Sequence, residues 1–338
     1  MDKRINVAII GISGYTGLEL IKILLNHPRF NITYIANSEG ESNIEEIHPS
    51  LKNICNEDVH KADAKIIADV AELVFLALPH KSAAIFAKDL LNLGCRVIDL
   101  SADYRLELDR YEKHYCLHED KEHLSEAVYG LPEYNRDKIK HTNLIANPGC
   151  YPTASLLAIL PFIKYIKSNQ RIIIDAKSGV SGAGKKCVHN THYVTINENI
   201  FSYNPLAHRH TPEIEEKISH ICNKNIGVIF VPHLLPLTRG MLISAYLKIE
   251  SDIDPLTTLE EYYKNEKFIR IRNHPVDVKS VAGTNFCDIF AKKDGDILYV
   301  NSSIDNLLRG ASSQAVVNAN IMYGFEEHLA IPFIPYIP

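Results

Sequence analysis

Near the N-terminus the mostly apolar run Ile5-Asn6-Val7-Ala8-Ile9-Ile10 passes directly into Gly11-Ile12-Ser13-Gly14-Tyr15-Thr16-Gly17, and then into a helix-like stretch from Thr16 to Leu25. This order of strand, glycine turn and helix constrains the fold more than any other feature. A strand apolar on both faces needs cover on both sides, as in a parallel sheet flanked by helices. The glycines let the backbone turn tightly and approach a pyrophosphate, which then rests on the N–H groups of the helix start. Gly11, Ser13, Gly14, Tyr15, Thr16 and Gly17 are therefore candidate cofactor contacts. The spacing is GxxGxxG, one residue longer than the commonest fingerprint. A turn that needs glycine for packing alone is the competing reading.

The rest of the first half keeps the alternation. Strands are expected at Asn31–Ala36, Leu73–Leu78, Arg96–Leu100 and Asn143–Ala146, with a helix from Ser82 to Leu93 closed by Gly94. On the first helix the expected apolar stripe is Leu18, Ile21, Leu24 and Leu25. Strands spaced by helices make βαβ units. The fold class expected is α/β, with an N-terminal Rossmann-type dinucleotide-binding domain. After Cys150 a helix is expected from about Thr153 to Ile166. Strands then follow at Arg171–Ala176, Gly227–Val231, Leu242–Ile249, Phe268–Ile271 and Ile297–Ile304. This texture predicts a second, α+β domain on a mainly antiparallel sheet. Leu307–Gly324 is helical again and suits a buried helix returning to the first domain. The expected organisation is residues 1–149 with about 306–338 as the nucleotide-binding domain, and 150–305 as the catalytic domain.

Of the 338 residues 46% are hydrophobic and 23% charged, which excludes wholesale disorder. No run of about 18 apolar residues is present to cross a bilayer. The net charge of -5 leaves no basic face for nucleic acid, so an anionic ligand must be met by a few placed Arg or Lys. No signal or transit segment is expected. The seven cysteines are scattered without a CxxC pair, which fits free thiols in the cytoplasm. No HExxH or Cys/His ligand spacing occurs, and no metal is expected.

Three further segments carry chemistry. The tip of the second strand, Ala36-Asn37-Ser38, holds no carboxylate for ribose hydroxyls, and Ser38 can donate to a 2′-phosphate; NADP is expected, with Glu39 and Glu41 close behind. Cys150 lies in Asn147-Pro148-Gly149-Cys150-Tyr151-Pro152-Thr153, between a strand and an apolar helix, where helix-start N–H groups favour a thiolate nucleophile. In His208-Arg209-His210-Thr211-Pro212-Glu213, Thr211 is the expected helix cap, and in an extended approach both imidazoles point one way with Arg209 opposite. Either His208 or His210 is a candidate general acid/base.

Taken together the motifs resemble N-acetyl-γ-glutamyl-phosphate reductase, an acyl-phosphate reductase family of arginine biosynthesis related more distantly to aspartate-semialdehyde dehydrogenase. The resemblance spans nearly the whole chain. It is carried by the glycine turn, Ala77-Leu78-Pro79-His80, Val97 through Arg105, Tyr129-Gly130-Leu131-Pro132-Glu133, Ala146 through Thr153, Asp175 through Gly184, His208 through Ile214 and Asp305-Asn306-Leu307. It implies NADPH-dependent reduction of N-acetyl-L-glutamyl 5-phosphate to the 5-semialdehyde through a thioester on Cys150, with His208 or His210 moving protons. It also implies Pro79, Ser178, Gly179 and Asn306 near the cofactor, and Arg105, Asn147 and Arg209 around the substrate. The partners implied are a small acyl phosphate and further copies of the chain, as a homodimer or homotetramer, with residues 150–305 in dimerisation. The chain departs from the family pattern at Glu39, where Arg is frequent, and at Gly310-Ala311-Ser312-Ser313-Gln314, where an Ala-Gly pair is usual. Rival readings are the sister enzyme of lysine synthesis acting on a carrier-bound acyl phosphate, a non-catalytic nucleotide-binding redox regulator, and a cysteine hydrolase.

Overall fold

The structure is a computed structural model that describes residues 4–167, 170–223 and 225–336. Two compact units result. The first is the chain up to Pro148 together with Ala311–Ile331; the second is Gly149–Gly310 with the chain from Pro332. The return to the first unit thus begins at Ala311, later than the expected 306.

The sheet of the first unit contains β1 (Ile5–Ile10), β2 (Phe30–Asn37), β3 (Ser42–Asn43), β4 (Asp58–Lys61), β5 (Leu73–Leu76), β6 (Arg96–Asp99), β7 (Val128–Tyr129) and β8 (Leu144–Ala146). Their spatial order is β3-β4-β2-β1-β5-β6-β8-β7, and every pairing except β3 with β4 is parallel. From β1 the chain builds outward to β2 on one side and later to β5 on the other. Order reverses there, and beyond the carboxyl ends of such strands a crevice opens. Val7 to Ile10 and all of β5 are buried, as the unbroken apolar runs require.

The first helix, Tyr15–Leu25, buries Gly17, Leu20, Ile21 and Leu24, at the i, i+3, i+4, i+7 spacing of one face. This differs from the expected stripe: Leu25 is exposed and Leu18 half-buried. The reason is Gly17, whose face meets the turn itself. A Cβ there would come within 2.6 Å of the Gly11 carbonyl and of Ile12 Cα.

The helix Ser312–Met322 is buried at all eleven positions. It starts later than expected, because residues 307–311 form turns. Its polar side chains are tied within the first unit. Ser312 Oγ donates to the Thr16 carbonyl at 2.9 Å, and Asn318 Nδ2 to the Gly130 carbonyl at 2.9 Å and to Asn147 Oδ1 at 3.1 Å. Asn320 Oδ1 takes His27 Nε2 at 3.0 Å.

The second unit holds β9 (Ile172–Gly179), β10 (Phe201–Ser202), β11 (Val228–Leu235), β12 (Met241–Lys248), β13 (Ile269–Ile271), β14 (Cys287–Asp294) and β15 (Ile297–Ile304). Their order is β10-β11-β9-β12-β15-β14-β13. Only β9–β11 and β13–β14 are parallel pairings. The helix Cys150–Ile159 packs on β12 and β15, where Ser302 Oγ donates to the Ala154 carbonyl at 2.8 Å. It begins three residues before the expected Thr153 and becomes a 3-10 helix over Leu160–Tyr165, where Pro161 has no N–H to extend an α ladder. On the outer face of the sheet Ile173 and Tyr246 are exposed, and Tyr246 packs on Tyr299 with ring centroids 5.4 Å apart.

Candidate active site

In the first unit a cavity of about 630 Å³ lies at the β1–β5 reversal. Its lining includes five of the expected cofactor residues: Gly11, Ser13, Gly14, Ser38 and Pro79. Gly11 is required twice over. Its φ is 94°, and a Cβ would meet the Ala77 carbonyl at 2.3 Å. Gly14 caps the helix without a side chain, leaving the first-turn N–H groups for an anion. Tyr15, Thr16 and Gly17 are not among the lining residues; Gly17 and the Thr16 carbonyl pack inside the unit, as described. Ile10, Asn37, Lys61, Ala62, Ala77, Leu78, Ser82 and Phe86 complete the wall, and none of these eight was a candidate cofactor contact in the sequence. Glycine turn, helix N-terminus and apolar slot together fit a dinucleotide.

The Ser-Ala-Asp-Tyr segment after β6 supports this wall from behind. Asp103 is fully buried. Its carboxylate accepts from the Lys81 and Ala84 N–H groups and from the Tyr111 hydroxyl, all within 2.9 Å. It thereby caps the helix Ser82–Asn92 and holds Lys81 at a φ of 72°. Asp99 beside it is pushed up to about 7, first by burial and then by the Asp103 charge. Arg105 is buried as well. Its Nε donates to the Asn147 carbonyl and its Nη2 to the Leu100 carbonyl, both at 2.8 Å. Asn147 is wholly inside the unit, its amide nitrogen on the Ala311 carbonyl at 3.1 Å and its oxygen taken by Asn318. Both residues therefore shape the loop ahead of Pro148.

In the second unit Cys150 is the first residue of its helix, partly exposed, with Gly149 as the cap. None of the seven cysteines is in a disulfide. The Gly149 N–H donates to Glu213 Oε1 at 3.1 Å, and Glu213 is 1% exposed. A Cβ on Gly310 would come within 2.6 Å of Cys150 Cβ, so the absence of a side chain makes room for the thiol. Tyr151 and Tyr203 share a hydrogen bond of 2.9 Å. Burial holds both hydroxyls protonated, far above their ordinary value, and negative charge at Cys150 pushes the same way.

The histidine segment is a turn, not the extended approach expected, and its cap is His210 rather than Thr211, which is the first helical residue. The imidazoles still meet. His208 Nδ1 accepts the His210 N–H at 3.1 Å, and the rings stand 4.9 Å apart. Both rest edge-on against Tyr151, and His208 also edge-on against Tyr203 and tilted against Phe230. Burial, helped by Arg209, lowers the His208 pKa to about 4, so its ring is neutral in the physiological range.

Ser178, Gly179 and Asn306 gather at the end of β9. Asn306 Oδ1 accepts the Gly240 N–H at 2.8 Å and its Nδ2 donates to Ser181 Oγ at 3.0 Å. Gly179 sits where a Cβ would meet the Leu237 carbonyl at 2.8 Å. Glu213 was not picked out in the sequence as a site residue, although its place in a first helical turn, three residues after His210, was visible.

Two family descriptions match the two halves of the chain: "Semialdehyde dehydrogenase, NAD binding domain" over residues 6–142, and "Semialdehyde dehydrogenase, dimerisation domain" over residues 150–306. The fold is similar to that of aspartate semialdehyde dehydrogenase II from Vibrio cholerae, with a TM-score of 0.74 at 17% identity over 96% of this chain and 99% of that one. It is also similar to the Candida albicans aspartate semialdehyde dehydrogenase solved with NADP, with a TM-score of 0.71 at 14% identity over 95% and 99%. A dinucleotide cavity on one unit and a helix-start cysteine on a mainly antiparallel sheet define the semialdehyde dehydrogenase class.

Within that class the sequence narrows the choice. Proteins named N-acetyl-gamma-glutamyl-phosphate reductase are 59% identical in Sulfurovum sp. over 99% of this chain and 100% of that one. In Wolinella succinogenes the figure is 58% over 99% and 100%, and in Methanocaldococcus jannaschii 43% over 95% and 96%. The chain belongs to the N-acetyl-gamma-glutamyl-phosphate reductase family, and it is an NADP-dependent oxidoreductase of the phosphorylating, aldehyde-forming kind.

Proposed function

We propose that Cys150 is the nucleophile in the reduction of N-acetyl-L-glutamyl 5-phosphate. The observation that carries this is a partly exposed thiol at a helix start, given room by Gly310 and walled by Tyr151, Tyr203, His208 and His210. The thiolate forms a bond to the acyl carbon, the carbon–oxygen bond to phosphate breaks, and phosphate departs with the electron pair. NADPH, which Gly11, Ser13, Gly14 and Ser38 would hold, would supply the hydride that reduces the resulting thioester. The carbon–sulfur bond then breaks, the pair returns to Cys150 and the aldehyde leaves. His208 or His210 takes the thiol proton and returns it. Because His208 is neutral with Nδ1 engaged by the His210 amide, it offers Nε2–H as a donor in this arrangement, which leaves His210 to take the thiol proton. Arg105 and Arg209 meet the phosphate and carboxylate charges, in which a guanidinium fork outperforms an ammonium.

The test is the reverse reaction, oxidation of N-acetyl-glutamate 5-semialdehyde with NADP and phosphate. Cys150→Ser is expected to lose at least about a thousandfold in kcat with NADPH affinity intact. Arg105→Lys is expected to raise the KM for phosphate more than that for NADP. A serine variant within tenfold of wild type removes Cys150 from the chemistry.

The partner reading is a second copy of the chain, met through the outer face of the second sheet around Ile173, Tyr246 and Tyr299. Light scattering on Tyr246→Glu tests it, with a shift to monomer expected. Cytoplasmic placement rests on the free thiols, and fractionation checks it. No helix among the described residues is long and apolar enough to cross a membrane.

A further inference from the structure

The wall of the dinucleotide cavity has one charged side chain among its thirteen lining residues, Lys61 at the end of β4. Nothing in the glycine turn or the β2 tip announces it. Its placement follows from the sheet. Asn37 and Lys61 are register partners in the parallel β2–β4 pairing, so their side chains leave on the same face. The Ala62 N–H donates to the Asn37 carbonyl at 3.0 Å, and the Tyr34 hydroxyl to the Lys61 carbonyl at 3.0 Å. The loop after β2 is then folded onto β4. Asn37 Oδ1 accepts from the Glu39 and Gly40 N–H groups at 2.9 and 2.7 Å, and Gly40 lies so close that a Cβ would meet the Lys61 amide nitrogen at 2.6 Å. Ser38 is therefore carried to the side of Lys61, and both line the cavity. Neither Glu39 nor Glu41 does.

A ribose 2′-phosphate carries nearly two negative charges near neutral pH. The Ser38 hydroxyl supplies a hydrogen bond without charge, and the chain as a whole is net negative. We infer that Lys61 is the cation that meets the 2′-phosphate and sets the preference for NADPH over NADH. This rests on the reading that the cavity takes the adenosine end of NADPH. In that role β4, outside the β1–turn–helix fingerprint, decides which of two cofactors is held.

Isothermal titration of wild type, Lys61→Met and Lys61→Arg with NADPH, NADH and 2′,5′-ADP tests the inference without turnover. Lys61→Met keeps the stem and removes the charge. It is expected to weaken NADPH and 2′,5′-ADP by roughly tenfold or more, leave NADH within twofold, and flatten the salt dependence of NADPH binding. Lys61→Arg is expected to retain the preference. If Lys61→Met binds NADPH within twofold of wild type, or loses NADPH and NADH equally, Lys61 is not the 2′-phosphate cation. If wild type itself binds NADPH no better than NADH, the NADP reading fails, and the role of Lys61 with it.

Discussion

At the scale of single residues, the site depends on atoms that are missing as much as on those present. Gly310 is the clearest case, since a methyl group there would meet the Asn306 carbonyl at 2.5 Å and Cys150 Cβ at 2.6 Å, far inside normal contact. Gly310→Ala is expected to displace the nucleophile by a fraction of an ångström to an ångström and to lower kcat by about a hundredfold. NADPH titration should be unchanged. Equal turnover in the variant would mean that the thiol position tolerates such a shift. Cys150 and the histidine pair were legible in the sequence because their flanks advertise them: a glycine and prolines at a strand-to-helix turn, and a Thr-Pro-Glu helix start. Lys61 and Glu213 were not. A lysine at the end of a short strand looks like any solvated charge, and the value of Glu213 comes from an amide sixty-four residues away, a contact that only tertiary structure makes.

At the scale of elements, the Asp103 carboxylate is the most concentrated device in the first unit. It satisfies two N–H groups of the helix start Lys81–Ala84 and the Tyr111 hydroxyl, and it stabilises the left-handed Lys81. Asp103→Ala leaves those donors buried without an acceptor, and relief of the repulsion with Asp99 returns part of the loss. The expected net destabilisation is about 2 kcal/mol, read as a lower urea midpoint. NADPH should bind more weakly too, because Pro79 and Ser82 flank the same turn and line the cavity. A variant with unchanged midpoint would show that water replaces the carboxylate. The long parallel strands were readable from their unbroken apolar runs. β14 escaped notice although Asp294-Gly295 is a strong hairpin signal, with Gly295 at a φ of 58°. The short strands β3, β7 and β10 have two residues each, too few for any periodicity to show.

At the scale of the whole molecule, stability should follow pH through a few buried groups. His27 is nearly inaccessible, and its Nδ1 accepts the Arg29 and Phe30 N–H groups at 3.2 and 3.0 Å. Burial lowers its pKa from 6.5 to about 4. Between those values the unfolded chain binds the proton and the folded chain does not, so stability rises with pH. What His27 contributes is fully present above pH 6.5 and is lost as pH falls towards 4, by about 2–3 kcal/mol. Asp99 runs the other way. Its raised value favours the folded state at low pH, and that advantage fades between about 3.8 and 7. The difference between wild type and His27→Gln isolates the first effect. Measured by urea denaturation from pH 4 to 7, the gap should widen with pH, and a flat difference would mean that His27 titrates alike in the folded and unfolded chain.

The helix Ser312–Met322 closes the unit whose other elements end at Pro148. During synthesis, therefore, more than 160 residues leave the ribosome before the nucleotide-binding unit has its last layer. Until then the carbonyls of Thr16 and Gly130, the His27 ring and the Asn147 side-chain oxygen await partners that have not yet been made. A nascent chain of this kind must hold a half-covered sheet open for many seconds, at the usual 5–20 residues per second, and is a natural client for a chaperone. A chain halted near residue 310 would lack the helix that completes the first unit. Pulse-labelled chains released at residue 310 should be cleaved by protease throughout residues 1–148, whereas chains released at 331 should resist.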